Sequence, residues 1–190
     1  MASTKKTFTT HKGIAVYPHL NRPDYQFNTD GVYATKLRVP ADQAKQLMDT
    51  LQALAQDEFG KKATSAKLPW KVDDDTGEII FTAKSKFKSK FMDSAGKLIS
   101  ENNVPEIYGG SVLKLAGTLY PWSAGGSHGI TLQLAACQIV SLADPVGNFA
   151  FEAEEGGYVA DADNDNHAAG NDNNAGKAAD NETTREAYDF

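Results

Sequence analysis

The stretch Ser111–Leu142, SVLKLAGTLYPWSAGGSHGITLQLAACQIVSL, decides the fold. Its first part, to Tyr120, places Leu113, Leu115 and Leu119 on the same face of an extended chain, which is typical of a strand with one buried face. Ile130–Leu142 is a longer and largely apolar run that predicts a second strand. The joining residues WSAGGSHG are predicted to form a flexible loop, and no Lys-Ser/Thr follows them as a phosphate-cradling loop requires.

Three more strands and one helix are predicted before this stretch. The helix is Ala41–Phe59, where apolar residues recur at three- and four-residue steps between a preceding proline and a following glycine. Residues 18–31 contain two prolines and an Asp-Gly pair, so a loop is expected there. The strands are expected at Lys12–Tyr17, Val32–Val39 and Ile79–Phe91. Five strands around one helix predict a mainly β fold, a five-stranded OB-type Greek-key barrel.

The charge of the chain is divided between its two ends. Residues 1–150 hold 17 Lys and Arg against 14 Asp and Glu, a net +3, whereas residues 151–190 hold 2 against 11, a net −9. The second part is mostly Asn, Asp, Ala and Gly, which bury too little to offset the entropy of ordering. We therefore predict an OB-fold domain over residues 1–157 and a disordered acidic tail over residues 158–190.

The tip of that tail is unusual because it carries two aromatic residues. A segment that only keeps the protein in solution gains nothing from Tyr188 and Phe190, whereas an arm that docks gains an anchor. We expect Tyr188, Asp189 and Phe190 to bind a partner. A purely solubilising tail is the alternative.

Several classes of function have little support. Cys137 is the single cysteine and lies in an apolar run, so it predicts a buried thiol and no disulfide. The sequence contains no G-x-S-x-G or H-E-x-x-H motif and no cluster of zinc ligands, so no enzyme, cofactor or metal is expected. A metal nuclease that uses Asp73, Asp74 and Asp75 is the enzymatic alternative, but a solvated hairpin turn explains these residues better. The absence of a secretory signal and of a long apolar segment predicts a soluble cytoplasmic protein.

The strand FTAKSKFKSKF, residues 81–91, predicts a surface that binds an anionic chain. Its lysines alternate with its other side chains, which places the lysines on one face about 6.6–6.8 Å apart. That spacing suits the phosphates of an extended nucleic-acid strand. The lysine face contains Lys84, Lys86, Lys88 and Lys90, and the opposite face contains Phe81, Ala83, Ser85, Phe87, Ser89 and Phe91.

Other strands add basic and aromatic side chains to this predicted surface. Lys114, Tyr120 and Trp122 point away from the leucines of their strand, although Trp122 could instead close the end of the barrel. Lys36 and Arg38 extend the basic surface, and Trp70, beside Lys67 and Lys71, is a weaker candidate for stacking. Basic strand faces with interleaved aromatics on a barrel are typical of proteins that bind single-stranded nucleic acid. An acidic-tailed module that binds protein is the alternative.

Four blocks, in order, resemble the OB-fold single-stranded DNA-binding proteins of lytic tailed phages, of the T-seven type. The blocks are RPDYQFNTDGVY (22–33), VPEIYGGSVLKLAGTLYPW (104–122), ITLQLAACQIVSLA (130–143) and EEGGYVA (154–160), and an acidic tail ending in Asp189-Phe190 follows. The similarity covers most of the chain. The chain departs from the family in a shorter segment before Ile79, a strand richer in lysine, and a tail richer in Asn.

The resemblance implies a protein that coats single-stranded DNA during phage replication and recombination, in the cytoplasm of the infected bacterium. It also implies a possible homodimer, a tail that competes with DNA, and contacts of the tail with the phage DNA polymerase and primase-helicase. The critical terminal aromatic of the family corresponds to Phe190, and an aromatic pair at the end of the block matched by residues 104–122 corresponds to Tyr120 and Trp122.

Overall fold

A computed structural model describes residues 6–26 and 29–145 of the chain. The helix at Ala41–Phe59 is followed by a short 3-10 helix at Gly60–Ser65, and a second 3-10 helix lies at Glu101–Asn103. No helix in the described part is long and apolar enough to cross a membrane. The strands and the helix, in chain order, are β1 (Thr7–Thr9), β2 (Gly13–Asp24), β3 (Val32–Val39), α1 (Ala41–Phe59), β4 (Trp70–Val72), β5 (Ile79–Ser85), β6 (Lys90–Met92), β7 (Val112–Ala124) and β8 (Ser127–Ser141).

Five of the strands form a closed ring. The order around it is β2, β3, β5, β8 and β7, and pairing of β7 with β2 closes the ring. The β5–β8 pair is parallel and the other four pairs are antiparallel. The short strands add to its margins, β1 on β7, β4 on β5 and β6 on β8. The prediction of a mainly β, OB-type barrel is confirmed, whereas the predicted tail at 158–190 lies outside the described residues.

The inside of the ring is filled by the alternating apolar residues that the sequence pattern indicated. Leu37 on β3, Leu113 and Leu115 on β7, and Leu132 on β8 are fully buried. The helix packs its own buried stripe, including Leu51, against the same cluster. The outer faces of β3, β5, β7 and β8 therefore remain available for polar and aromatic side chains.

The helix begins and ends where the sequence predicted. Pro40 precedes it, and the Pro40 carbonyl accepts hydrogen bonds from the backbone N–H groups of Gln43 and Ala44. Gly60 follows with a φ of 53°, a conformation that glycine adopts without steric cost, and its N–H donates to the Gln56 carbonyl.

Strand β2 is longer than predicted, because it continues from Gly13 through the expected loop to Asp24. Its pairing with β3 shifts register twice, between Val16 and His19 and between His19 and Asp24. These irregularities fall where Pro18 and Pro23 lack a backbone N–H, so the strand accommodates prolines that would interrupt a regular ladder.

The prediction of a flexible loop at residues 122–129 is wrong. β7 and β8 form a hairpin joined by Gly125 and Gly126 alone, with Ala124 paired to Ser127. Both glycines have positive φ, 56° and 79°, as a tight two-residue hairpin turn requires.

The predicted continuous strand from Ile79 to Phe91 is interrupted. β5 ends at Ser85 and β6 begins at Lys90, so residues 86–89 form a turn between them. Phe87 is 76% exposed, and its predicted place on the buried face is wrong. The other predicted inward residues of this segment are buried: Phe81, Ala83, Ser85, Ser89 and Phe91.

Candidate nucleic-acid interface

An open groove of about 540 Å³ crosses the outer face of the ring. Strands β5 and β8 form its floor, β7 forms one side, and the segment 67–69 before β4 forms part of its wall. Polar, basic and aromatic side chains meet in it. The lining residues are Val32, Lys67, Leu68, Pro69, Thr82, Lys84, Ser85, Lys86, Tyr120, Trp122, Ile130, Thr131 and Gln133.

The register of three strands sets a polar row across the floor. Thr118 on β7 is opposite Gln133 on β8, and Gln133 is opposite Lys84 on β5. The Thr118 hydroxyl donates to Gln133 Oε1 at 3.1 Å, which fixes the amide of that side chain. Lys84 is exposed beside this amide, so its ammonium is available to an anion in the groove.

Tyr120 and Trp122 lie on the same outer face of β7, two residues apart. Tyr120 is 58% exposed, and Trp122 is half-buried. The Trp122 ring lies against Gly129, its cross-strand partner, where an added Cβ would come within 3.0 Å of Trp122 Cζ2. The two rings offer flat apolar surfaces beside the lysines, which is the combination that stacking of bases needs.

Lys67 enters the groove because its backbone pairs with Gly129. The Lys67 N–H donates to the His128 carbonyl, and the Ile130 N–H donates to the Lys67 carbonyl, each at 3.0 Å. A Cβ on Gly129 would lie 2.4 Å from the Lys67 carbonyl oxygen, so only glycine permits this approach. Sequence reasoning placed Lys67 only as a neighbour of Trp70, because no local pattern signals a contact across some sixty residues.

Of the other predicted lysines, one lines the groove and the rest lie on strands or turns around it. Lys86 lines it, and Lys88 is exposed in the turn that follows. Lys90 on β6 pairs with Ala136, and Lys114 on β7 pairs with Gln138, so both flank the far half of β8. Lys36 is opposite Thr82 at the groove's edge, and its Nζ lies 5.8 Å from the centroid of the Tyr17 ring.

Among the residues that the structure describes, none of the predicted lysines forms an ion pair with a carboxylate. Their charges are therefore not neutralised by neighbouring side chains. The lysines concerned are Lys36, Lys84, Lys86, Lys88, Lys90 and Lys114.

Arg38 and Trp70, also predicted for the interface, have other contacts. Arg38 Nε lies 3.2 Å from Asp73 Oδ2 and 3.8 Å from Glu78 Oε2, so the β4–β5 hairpin neutralises its charge. Trp70 is half-buried against the core and lies outside the groove lining. The structure thus brings together Lys84, Lys86, Tyr120 and Trp122, but not these two.

Asp73, Asp74 and Asp75 lie in the predicted hairpin turn between β4 and β5. The Asp73 N–H donates to the Glu78 carbonyl, and Asp73 Oδ1 accepts from the Asp75 N–H. In the described part of the chain, no group of three or more His, Cys, Asp and Glu side chains could hold a metal ion. Cys137 is fully buried as predicted, and this burial raises its pKa from 9.0 to about 12.

Among comparisons with known proteins, only the comparison with solved structures finds matches to this chain. No family model and no curated protein matches the chain. The crystal structure of gp2.5, a single-stranded DNA-binding protein encoded by bacteriophage T7, matches with a TM-score of 0.58 and 29% sequence identity, over 83% of this chain and 100% of that chain. This chain is similar to the phage single-stranded DNA-binding proteins. The predicted resemblance is confirmed.

A second phage protein has the same fold. The single-stranded DNA-binding protein of bacteriophage Enc34 matches with a TM-score of 0.59 at 18% identity, over 77% of this chain and 87% of that chain. Its complex with single-stranded DNA matches with a TM-score of 0.60 at 19% identity, over 74% and 89%. The similarity to gp2.5, which is named as a single-stranded DNA-binding protein, agrees with the prediction that this chain is not an enzyme.

Proposed function

We propose that this chain binds and coats single-stranded DNA without strong sequence preference. The observation that carries the proposal is the groove in which Lys84 and Lys86 lie beside Tyr120 and Trp122. Lysines track a phosphate backbone, and aromatic rings stack on any base because every base has a π-face. The structural similarity to a phage protein that is described with single-stranded DNA supports it.

The groove suits a single strand better than a duplex. Base stacking requires unpaired bases, and each stacked base contributes about 1–3 kcal/mol. The only long helix in the described residues, α1, packs against the barrel, and its exposed side chains mix acids with few bases. It therefore offers no basic surface for reading a major groove.

The proposed setting is phage DNA replication and recombination in the cytoplasm of the infected bacterium. The acidic tail would limit access of DNA to the groove by charge, since residues 151–190 carry a net −9 whereas residues 1–150 carry a net +3. Its tip, Tyr188, Asp189 and Phe190, would bind the phage DNA polymerase and the primase-helicase. The same proposal includes the formation of a homodimer by this chain.

A titration of the full chain with labelled oligo-dT and with a duplex of equal length tests the proposed function. We expect binding of the single strand at least about tenfold tighter than that of the duplex. If about four lysines neutralise phosphates, the logarithm of the binding constant falls with the logarithm of the salt concentration at a slope near −3. Equal affinity for both ligands, or a flat salt response, would refute the proposal.

A further inference from the structure

The turn between β5 and β6 contains more residues than the strand beside it requires. Ala83 pairs with Leu132 and Lys90 pairs with Ala136, both in parallel register with β8. From Ala83 to Lys90 the chain advances seven residues, whereas the paired part of β8, from Leu132 to Ala136, advances four. Three residues between β5 and β6 must therefore leave the sheet. The sequence of the turn with its two ends, residues 85–89, is SKFKS.

Phe87 lies at the centre of this turn and is directed outward. Its side chain is 76% exposed, whereas Ser85 and Ser89 on either side of the turn are each only 7% exposed. The Phe87 N–H donates to Ser85 Oγ at 3.0 Å, so a buried hydroxyl fixes the backbone that carries the ring. Burial of a phenylalanine side chain stabilises a fold, and at 76% exposure Phe87 forgoes most of that stabilisation.

The turn continues directly from the groove. Ser85 and Lys86 line the groove together with Tyr120 and Trp122, and Phe87 is the next residue along the chain. Lys86 and Lys88 on its two sides are exposed, and neither is ion-paired within the described ranges. An aromatic ring between two unpaired ammonium groups complements a nucleotide strand, because the ring can stack on a base and the ammonium groups can bind the phosphates on its two sides.

We propose that Phe87 is an additional base-stacking residue, and that Lys86 and Lys88 bind the phosphates on either side of the stacked base. This site lengthens the groove by at least one nucleotide beyond Tyr120 and Trp122. The inference rests on the proposed function, since the ligand is the same single strand. The competing occupant of an exposed aromatic is a second copy of the chain, and the experiment separates the two.

The test compares Phe87→Ala, Phe87→Trp and the control Val72→Ala in the full chain. Val72 is 49% exposed and pairs with Ile79, at the end of β5 away from the turn. Binding is measured with oligo-dT and with a set of oligo-dT strands that each carry one abasic position. We expect Phe87→Ala to weaken binding of oligo-dT about tenfold, Phe87→Trp to retain or tighten it, and Val72→Ala to leave it unchanged.

The abasic series identifies the contact itself. In the unmodified protein, removing the base that meets Phe87 weakens binding about tenfold, and in Phe87→Ala the same removal has no further effect. Sedimentation equilibrium of the unmodified protein and Phe87→Ala gives the oligomeric state. Three results would each overturn the inference. Phe87→Ala could bind oligo-dT as tightly as the unmodified protein, or its loss of binding free energy could add fully to the loss at every abasic position. Phe87→Ala could also form a smaller oligomer than the unmodified protein. Failure of the unmodified protein to bind oligo-dT would instead overturn the proposed function.

Discussion

The position of the Trp122 indole depends on a missing side chain. Gly129 lies under the ring and also beneath the carbonyl of Lys67, so one residue without a Cβ lets two elements of the groove approach β8. The residues proposed to contact DNA and the residue that positions them are thus different. Gly129 contributes no chemistry of its own, but it sets where the stacking ring and the Lys67 wall lie.

Substitution of Gly129 by alanine tests this role. The added Cβ meets Lys67 O at 2.4 Å and Trp122 Cζ2 at 3.0 Å, so the wall and the ring must both move. We expect the free energy of unfolding to fall by about 1–3 kcal/mol and the remaining folded protein to bind oligo-dT more weakly. Gly109→Ala is the matched control, because its Cβ would meet nothing nearer than 3.9 Å. Equal stability and affinity of the two variants would contradict the role assigned to Gly129.

Cys137 gives a pH-dependent prediction, because burial raises its pKa from 9.0 to about 12. Between these values the unfolded thiol ionises while the folded thiol stays protonated, so rising pH favours the unfolded state. At about pH 10.5 the loss is about 2 kcal/mol relative to pH 8. Urea unfolding of the unmodified protein and of Cys137→Ala measures it. The variant should lack this part of the pH dependence, and identical pH profiles would contradict the prediction.

At the scale of elements, the helix was predictable to the residue because local chemistry defines it. Its apolar stripe, Pro40 and Gly60 all act within a few residues of the positions they determine. β3 was predictable for the same reason, since its sequence alternates from Val32 to Val39, and buried residues alternate with more exposed ones from Thr35 to Val39. These elements needed no knowledge of what they pack against.

The parts of elements that were predicted wrongly are those whose conformation depends on pairing with a neighbouring strand. β2 continues past Pro18 because its pairing with β3 shifts register, and the turn at 86–89 exists because β8 is shorter along that path. The same limit applies to the site. Lys84, Tyr120 and Trp122 followed from strand parity, whereas Lys67 and the exposed position of Phe87 depend on partners distant in sequence.

Lys84 and Arg38 were predicted together for phosphate binding, and their strands give them different surroundings. Lys84 is exposed in the groove, whereas Arg38 is ion-paired with Asp73 and Glu78 on the β4–β5 hairpin. We expect Lys84→Gln to reduce the magnitude of the salt slope for oligo-dT binding by about 0.7 and to leave stability nearly unchanged. Arg38→Gln should leave the slope unchanged and lower stability by up to about 1 kcal/mol.

Parallel titrations of the two variants over a range of salt concentrations give both slopes. Thermal unfolding of the same samples gives the stability of each variant. A larger change of slope in Arg38→Gln than in Lys84→Gln would mean that Arg38 leaves its carboxylates for DNA, and the assignment of phosphate contacts to the groove would then be wrong.

At the scale of the whole molecule, the formal charge is distributed unevenly along the chain. Residues 158–190, which lie outside the described residues, hold 8 acids and 2 bases, a net −6, so the chain without them has a formal charge of zero. Because the groove lysines are unpaired among the described residues, the proposed regulation requires only that an anionic segment compete with DNA for them by charge. Such competition is screened as salt rises, since the Debye length shortens to about 8 Å at physiological ionic strength.

Deletion of residues 158–190 therefore should tighten binding of oligo-dT, and the gain should be largest at low salt. Replacing the acids of this segment by Asn and Gln, with its length and its aromatic tip retained, separates charge from steric exclusion. If competition is electrostatic, the neutralised chain binds like the truncated one. A neutralised chain that binds like the intact protein would show that bulk or the aromatic tip is responsible. Unchanged affinity after deletion would mean that the tail does not act on the groove, and its conspicuous −6 would then serve solubility or partner binding alone.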